Sequence, residues 1–499
     1  MLFLNNLKFL LPEIFLSSLI LILLVYGVLF SRIQFFKKYF GGLNNIFFLI
    51  IFGLSLLLIL QVYNYNCDFT ILNFHFIGNR FVHFFKSILI LVTLCLFIFS
   101  KNFIDYEKEF HFEYLILILL ALLGLLLMVS ANDFIFLYLA LELQSLSLYV
   151  LAASNRYNNK SIEGGLKYFI FGSLASGLFL FGVSLLYGLT GCTNFNEIFI
   201  FLADSNNLGL FNHDYLGLLF LSFLFILSGF FFKFSIVPFH NWTPDVYEGS
   251  PYLITAFFAL VPKLGIFAVL FNLYIMFILN YHSVFFNVLL FCSVSSIIIG
   301  SLAALYQTNL KRLFAYSTIS NMGFILLGLS LNTFEGFHAS LIYLLIYLLL
   351  MVCLFGAILQ CRNVFNKNLI TDMSDLSSLF RTFPILSIII AITLFSLAGI
   401  PPLAGFFSKF YLVFALLKSK MFFTAFFVVF VGVYSCIYYI RLIKIMYFEK
   451  PFVWTFFYTI NFELSYYILI FITFINITFF YFLDFLMDIT RNILLRIFL

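Results

Sequence analysis

Charged residues are scarce in this sequence of 499 residues. Only 9% of the residues are Asp, Glu, Lys or Arg, whereas 64% are hydrophobic and the mean hydropathy is +1.13. A soluble chain of this length has about a quarter of its residues charged, so the composition excludes a water-soluble globular protein. Apolar runs of about 18 residues or more follow one another from end to end, which indicates a polytopic membrane protein.

Patterns that hold metals or cofactors are also missing. The seven cysteines are scattered, with no CxxC pair and no histidine at metal-ligand spacing. This predicts packing roles for the cysteines, with no metal and no redox cofactor in the chain. No motif indicates a nucleophile, a nucleotide-binding loop or nucleic-acid binding. Tryptophan occurs twice against 77 phenylalanines, a bias that A+T-rich codons produce and that favours an organellar gene.

The apolar runs predict an all-α fold of about fourteen transmembrane helices. The first run is too long for a signal peptide and lacks a small-residue cleavage site, so we interpret it as a retained span. The predicted spans are 13–31, 46–63, 84–100, 114–130, 133–152, 166–189, 215–237, 252–280, 284–306, 313–331, 338–360, a broken twelfth span from 383–402 to about 419, a thirteenth from there to 446, and 464–486.

Basic residues alternate between the two sides of these spans. Fifteen lie in the loops that follow spans one, three, five, nine, eleven and thirteen, and seven lie on the opposite side. The positive-inside rule therefore places the basic loops in the cytoplasm or matrix and both termini outside. These loops are 32–45, 101–112, 154–165, 307–312, 361–382 and 441–450.

Five charged residues lie inside the predicted spans: Glu142, Lys167, Lys233, Lys263 and Lys409. Each costs about 2.5–3.5 kcal/mol at a helix centre, and all five cost on the order of 12–17 kcal/mol if nothing compensates them. Pairing or snorkelling suits Lys167, because Glu163 lies one turn before it. It suits the others less well, because one glutamate cannot neutralise four lysines.

The excess of lysine predicts proton chemistry. Burial and neighbouring positive charge both disfavour the ammonium form of a lysine, so such a lysine can bind and release protons. A row of lysines joined by hydrated polar groups, with one carboxylate at its end, is typical of a proton relay in a bilayer.

Proline interrupts two spans beside a lysine. Pro238 follows Lys233 in span seven, and Pro401 and Pro402 precede Lys409 in span twelve. Proline removes a backbone hydrogen bond, and the freed carbonyl is tolerated only where protein or water meets it, so we predict that the broken helices line a path. The breaks are five spans apart, which predicts two inverted five-helix repeats. The predicted segments are 1–112 with three helices, 113–283 and 284–450 as the repeats, and 451–499 as a C-terminal helix.

Several motifs resemble those of the antiporter-like membrane subunits of respiratory complex I. They are 233–249 (KFSIVPFHNWTPDVYEG), 307–323 (QTNLKRLFAYSTISNMG), 396–409 (SLAGIPPLAGFFSK), 141–143 (LEL) and 165–169 (GLKYF). Within that family, the WTPDVY sequence and the lysine at position 409 resemble the corresponding residues of the subunit 2 branch. This branch is called subunit N in bacteria. The sequence departs from the family at Asn321, where relatives often have histidine.

The resemblance implies a role for each matching charge. Glu142 would be the carboxylate of the relay, Lys233 its central lysine, Lys167 and Lys263 its connecting lysines, and Lys409 its terminal group. It also implies proton translocation coupled to quinone reduction in other subunits of an NADH:ubiquinone oxidoreductase. Flavin, iron–sulfur clusters and quinone are then expected in those partners and no cofactor in this chain.

The same resemblance implies partners and a location. We expect contacts with other membrane-arm subunits and with lipids, no nucleic acid, and no direct binding of NADH. The location would be the mitochondrial inner membrane, or the plasma membrane of a bacterium. Two alternatives stay open: a subunit of a cation/proton antiporter, and a purely structural membrane subunit whose intramembrane lysines are dispensable.

Overall fold

A computed structural model describes residues 10–32, 42–65, 68–71, 74–106, 112–208, 213–274, 282–363, 370–449, 457–458 and 464–498. These ranges are almost entirely helical, and their strands are limited to two short antiparallel pairs. The predicted all-α membrane fold is therefore confirmed. Lys37, Lys38, Lys108, Lys367 and Lys450, which contribute to the predicted charge asymmetry, lie outside the described residues.

The apolar runs form helices because they combine length with few breakers. The helices are α1 (Leu11–Arg32), α2 (Gly42–Tyr63), α3 (Arg80–Tyr106), α4 (Phe112–Ser130), α5 (Phe134–Ala152), α6 (Asn159–Thr190), α7 (Phe195–Leu208), α8 (His213–Phe234), α9 (Trp242–Gly249), α10 (Tyr252–Leu273), α11 (His282–Leu305), α12 (Leu310–Ser330), α13 (Phe334–Gln360), α14 (Leu379–Thr382), α15 (Pro384–Ala398), α16 (Ala404–Lys418), α17 (Phe422–Phe448), α18 (Leu464–Ile477) and α19 (Phe479–Phe498).

The strands and a short 3₁₀ helix lie in the connections. Strand β1 (Phe69–Ile71) pairs with β2 (Phe76–Gly78), with Thr70 opposite Ile77. Strand β3 (Arg362–Asn363) pairs with β4 (Phe457–Tyr458), and the 3₁₀ helix covers Met373–Ser378.

Among the described residues, twelve helices are long and apolar enough to cross a membrane, or thirteen if α18 and α19 count as one bent span. The predicted twelfth span consists of two helices of 15 residues each, α15 and α16, on either side of the proline pair. The prediction of about fourteen spans therefore differs from the structure mainly in how these two broken segments are counted.

Both predicted helix breaks are present. Helix α8 ends at Phe234, and Ser235 has a φ of +63°, a left-handed conformation that a helix cannot contain. Helix α15 ends at Ala398 and is followed by Gly399 with a φ of +91°, as is common at helix C-termini. The arrangement of helices as inverted repeats remains a prediction.

The structure corrects the predicted C-terminal span and one predicted loop. Instead of one helix over 464–486, α18 and α19 meet at 86°. Asp484, Asp488 and Arg491 lie at positions i, i+4 and i+7 of α19, among apolar residues. Charges at this spacing share one face of the helix, as is typical of a helix that lies along a membrane surface. Helix α17 extends to Phe448, so most of the predicted loop 441–450 is helical.

The chain divides into two compact units. Unit 1 comprises Met1–Phe97, Glu107–Phe234 and Val261–Val284, and unit 2 comprises Ile98–Tyr106, Ser235–Leu260 and Phe285–Leu499. Within unit 1, α6 packs along α5 and α8, and α4 packs against α1 and α5. Within unit 2, α13 packs against α12, α15 and α16, and α15 packs against α17.

Candidate functional site

One face of α5 carries the predicted carboxylate. The helix begins after Asp133, whose side chain accepts a hydrogen bond from the Ile135 N–H and so caps the helix. Glu142, Ser145 and Tyr149 follow at positions i, i+3 and i+7, which lie on the same side of a helix. The Ser145 Oγ lies 3.2 Å from Glu142 Oε2 and donates to it, and Tyr149 lies one turn beyond Ser145 on the same face.

Lys233 lies opposite this face, in the last turn of α8. Its side chain is buried, and its Nζ donates to the Tyr149 hydroxyl at 3.3 Å. The Nζ also lies 5.2 Å from the centroid of the Tyr149 ring and 5.7 Å from that of Tyr168, close enough for cation–π attraction. The carbonyl end of a helix attracts a cation as well. Aromatic faces, one hydroxyl and the end of a helix therefore hold this ammonium group.

Glu142 and Lys233 do not form a direct ion pair. In the described part of the chain, no carboxylate lies within 4 Å of the Lys233 Nζ, which donates instead to the Tyr149 hydroxyl. The Glu142 carboxylate accepts from Ser145 on the same face of α5. Along α5, two hydroxyl groups lie between the two charged groups: Ser145 contacts the Glu142 carboxylate, and Tyr149 contacts the Lys233 ammonium. A row of hydroxyls between an acid and an amine can connect the two by hydrogen bonds.

A glycine on α6 makes room for this row. A Cβ atom added at Gly172 would lie 2.0 Å from the Tyr149 hydroxyl oxygen, so a side chain there would displace that hydroxyl. Gly172 is buried, and α6 packs along both α5 and α8. The position of the Tyr149 hydroxyl therefore depends on the absence of a side chain at residue 172.

The two predicted connecting lysines differ in their surroundings. Lys167 pairs with Glu163 at 2.6 Å, and 38% of the Lys167 side chain is exposed in the isolated chain. The structure therefore contains the Lys167–Glu163 ion pair that the sequence suggested. Lys263 is 1% exposed and follows Pro262 inside α10. It belongs to unit 1, as do Glu142, Lys167 and Lys233.

Lys409 lies in unit 2, on α16. Its Nζ donates to the Ala398 carbonyl at 2.8 Å and to the Ser435 Oγ at 3.0 Å. Ala398 is the last residue of α15, so the helix break supplies the carbonyl that binds the ammonium. A Cβ atom at Gly399 would lie 3.1 Å from the Lys409 Cδ, and together with the positive φ of Gly399 this favours glycine there.

The proline side chains at the two breaks do not face the interior of the units. Pro238, Pro401 and Pro402 are all exposed in the isolated chain. Their effect on the site is through the backbone, because the helices end before them and leave carbonyl groups without helical partners.

Two features of the site were not predicted from the sequence. One is the pair of hydroxyls on Ser145 and Tyr149, although their spacing from Glu142 could have indicated a shared helix face. The other is a buried ion pair in unit 1 between Lys86 and Glu13, with side chains 2% and 6% exposed. These two charges were missed because each lies near the end of a predicted span.

Comparison with known proteins gives consistent matches. A family model described as NADH:quinone oxidoreductase/Mrp antiporter, TM, matches residues 131–435. The chain is 41% identical over 476 residues to "NADH-ubiquinone oxidoreductase chain 2" of Marchantia polymorpha, which covers 94% of each chain. It is 40% identical over 449 residues to "NADH-quinone oxidoreductase subunit N" of Pelagibacter ubique, which covers 89% of this chain and 90% of that protein.

A solved structure agrees with these sequence matches. A chain of "Respiratory complex I from Thermus thermophilus with bound Aureothin" superposes with a TM-score of 0.74 at 25% identity. The superposition covers 94% of this chain and 98% of that one.

Proposed function

Because the chain belongs to the transmembrane subunit family of NADH:quinone oxidoreductases and Mrp antiporters, in its chain 2/subunit N branch, we propose that it carries protons through a relay of lysines controlled by Glu142. The observation that carries this proposal is the buried Lys233, whose Nζ donates to the Tyr149 hydroxyl on the face of α5 that also holds Ser145 and Glu142. In the proposed relay, the hydroxyls of Tyr149 and Ser145 form a row between Lys233 and Glu142. Both ends of that row can bind a proton, and both hydroxyls between them can donate and accept hydrogen bonds.

The relay works through the balance of two effects on Lys233. A nearby carboxylate favours the ammonium form of a lysine, whereas burial disfavours it. When the row between Glu142 and Lys233 is intact, the ammonium is favoured. When the row lengthens, burial dominates and Lys233 gives up its proton. A small movement of α5 relative to α8 would therefore load and unload the lysine.

The remaining lysines extend this relay. Lys167 and Lys263 are its connecting groups, and Lys409 is its terminal group. The contact of Lys409 with Ala398 and Ser435 supports this role, because polar partners at the helix break hold a cation inside the membrane. The arrangement of residues 113–283 and 284–450 as inverted five-helix repeats belongs to the same proposal.

The chain acts as one subunit of a larger enzyme, NADH:quinone oxidoreductase, and takes its driving force from quinone reduction in other subunits. Flavin, iron–sulfur clusters, quinone and NADH are bound by those partners, and lipids cover the apolar outer faces. The membrane is the mitochondrial inner membrane, with the bacterial plasma membrane as the alternative, since the relatives come from both sources.

Native purification distinguishes this function from that of an antiporter subunit. We expect the chain to purify within a complex that oxidises NADH, contains flavin and iron–sulfur clusters, and reduces quinone. The measurement is subunit identification together with the cofactor content of the complex. A complex that lacks flavin and iron–sulfur clusters, and that exchanges sodium for protons, would contradict the proposal.

Tyr149→Phe is expected to slow proton translocation while leaving the complex assembled. Phenylalanine keeps the ring over Lys233 but removes the hydroxyl that accepts a hydrogen bond from the Lys233 Nζ. The loss of a hydrogen bond to a charged group corresponds to a decrease of about tenfold in the rate of the step that uses it. The measurement is the initial rate of proton uptake by proteoliposomes, divided by complex content.

Two further variants sharpen this test. Tyr187→Phe removes an exposed tyrosine hydroxyl from α6 in the same unit and should behave as wild type. Gly172→Ala keeps the Tyr149 hydroxyl but displaces it, so it should reproduce the effect of Tyr149→Phe. Unchanged proton uptake in both Tyr149→Phe and Gly172→Ala would rule out the row of hydroxyls as part of the relay.

A further inference from the structure

Unit 2 contains a small polar cavity beside Lys409. Its volume is about 10 Å³, which is close to the smallest space that holds one water molecule. The side chains that line it with polar atoms are Asn321, Tyr343, Tyr347, Ser396, Ser408 and Lys409. They come from α12, α13, α15 and α16, so helices distant in sequence meet at this point. The Ser396 hydroxyl is already engaged, because it donates to the Asn476 Oδ1 and accepts from the Gly405 N–H.

One polar atom of Asn321, its Nδ2, lacks a hydrogen-bond partner among the described residues. The residue is 6% exposed, and its Oδ1 accepts a hydrogen bond of 2.9 Å from the Tyr343 hydroxyl. That bond fixes which end of the amide faces Tyr343. The Nδ2 is buried and has no hydrogen-bond partner in the described part of the chain. A buried amide N–H without a partner is costly, so this donor indicates a missing acceptor.

Lys409 has a spare donor as well. An ammonium group has three N–H donors, and two of those on Lys409 bind the Ala398 carbonyl and the Ser435 Oγ. The third is available at the cavity that Lys409 lines. One acceptor inside the cavity could therefore satisfy both Asn321 and Lys409.

Two other lining groups offer acceptors. The Ser408 hydroxyl donates to the Gly405 carbonyl at 2.8 Å, and the Tyr347 hydroxyl donates to the Ala259 carbonyl at 3.3 Å. Their hydrogens are engaged, so their oxygens remain free to accept. The Tyr343 oxygen is a third acceptor, since its hydrogen is donated to Asn321. The cavity thus presents two donors and at least two acceptors, enough for the four hydrogen bonds of a water molecule.

We infer that this cavity binds one ordered water molecule, which accepts from the Asn321 Nδ2 and the Lys409 Nζ and donates to Ser408 and Tyr347. Asn321 is then a positioning residue that holds the water against the ammonium group. An amide cannot take up a proton near neutral pH as an imidazole can, so the water provides the contact between Lys409 and the polar interior of unit 2. The consequence for proton transport rests on the proposed function of Lys409.

The binding site itself can be tested without any variant. In a high-resolution map of the intact complex, we expect water density within about 3 Å of both the Asn321 Nδ2 and the Lys409 Nζ. A map that resolves other buried waters in this chain but shows none in contact with both groups would overturn the inference.

The positioning role is tested with Asn321→Leu, which removes the amide at similar side-chain volume. We expect loss of the water density and a decrease of about tenfold in the rate of proton uptake, as for loss of one hydrogen bond to a charged group. Ile388→Leu is the control, because Ile388 is exposed on α15 of the same unit, does not line the cavity and is exchanged for a residue of equal volume. Proton uptake in Asn321→Leu is compared with that in Ile388→Leu and in wild type. Equal proton uptake in Asn321→Leu and Ile388→Leu would contradict the positioning role.

Two additional variants keep the result interpretable. If Asn321→Leu prevents assembly, Tyr343→Phe removes only the hydroxyl that orients the amide and should weaken the water density. Lys409→Ala separates the two proposals. If Lys409→Ala stops proton uptake while Asn321→Leu does not change it, the positioning role is wrong and the relay stands. If Lys409→Ala has no effect on uptake, the relay role of Lys409 is wrong, and the water density still decides whether the site exists.

Discussion

Lys233→Ala is expected to abolish most proton uptake that depends on this chain, while NADH oxidation by the partner subunits stays close to its wild-type rate. Lys233 is the buried cation that donates to Tyr149, on the face of α5 that carries Glu142, and alanine can neither hold nor release a proton. Groups that transfer protons contribute about 10²–10⁴-fold to the rate of their step, so a decrease of about a hundredfold or more is expected for the step that uses Lys233. The measurement is proton uptake by proteoliposomes that contain a known amount of assembled complex.

Two variants separate this effect from a loss of packing. Lys233→Met keeps a long side chain in the buried site and should be as defective as Lys233→Ala. Lys444→Ala removes a lysine whose side chain is 67% exposed, on α17, and should keep wild-type proton uptake. If Lys233→Met transported protons normally in assembled complex, the lysine would be needed only for packing, and the structural alternative would take the place of the relay.

Glu142→Gln is expected to lower proton uptake more than it lowers the amount of assembled complex. The amide has the shape of the carboxylate and can still accept the hydrogen bond from Ser145, so the main change is the loss of negative charge near Lys233. A loss of about 1.4 kcal/mol of attraction corresponds to a factor of ten, and we expect a decrease of about that size. The measurement is again the initial rate of uptake per assembled complex.

The double variant gives a stricter test of coupling. If Glu142 and Lys233 act as one unit, Glu142→Gln together with Lys233→Ala should be no worse than Lys233→Ala alone. Glu197→Gln removes an exposed carboxylate from α7 of the same unit and serves as the control. Strictly additive losses in the double variant would show that the two residues act independently.

The sequence was most informative where a physical constraint acts locally. The length of an apolar run decides whether a helix can span a bilayer, so the membrane fold was predictable. Proline removes a helical hydrogen bond and often ends a helix, so the ends of α8 and α15 near Pro238 and Pro401 were predictable too. The bend after Ile477 was not, because no proline marks it and the charges of α19 follow an apolar run that continues from α18.

The site was predictable only in part, because its contacts depend on packing between helices. The spacing of Glu142, Ser145 and Tyr149 places them on one face of α5, and this could be read from the sequence. The contact of Tyr149 with Lys233 could not, since it depends on the packing of α6 along α5 and α8 and on the space left at Gly172.

The surroundings of Lys409 were also predictable only in part. The sequence places this lysine after a helix break, but the partner of its ammonium group is the Ala398 carbonyl, eleven residues earlier. That contact requires α16 to fold back toward the end of α15. It is favoured by glycine at position 399, because a Cβ atom there would crowd the Lys409 side chain. Periodicity and propensity do not specify such a return of the chain.

The central claim is that protons coupled to NADH oxidation pass through the lysines of this chain. It is tested most directly by the ratio of protons moved to NADH oxidised, measured simultaneously in proteoliposomes with quantified complex. We predict a lower ratio for Lys233→Ala and for Glu142→Gln than for wild type, and an unchanged ratio for Lys444→Ala and Glu197→Gln. A wild-type ratio in both relay variants, at normal assembly and normal NADH oxidation, would contradict the claim.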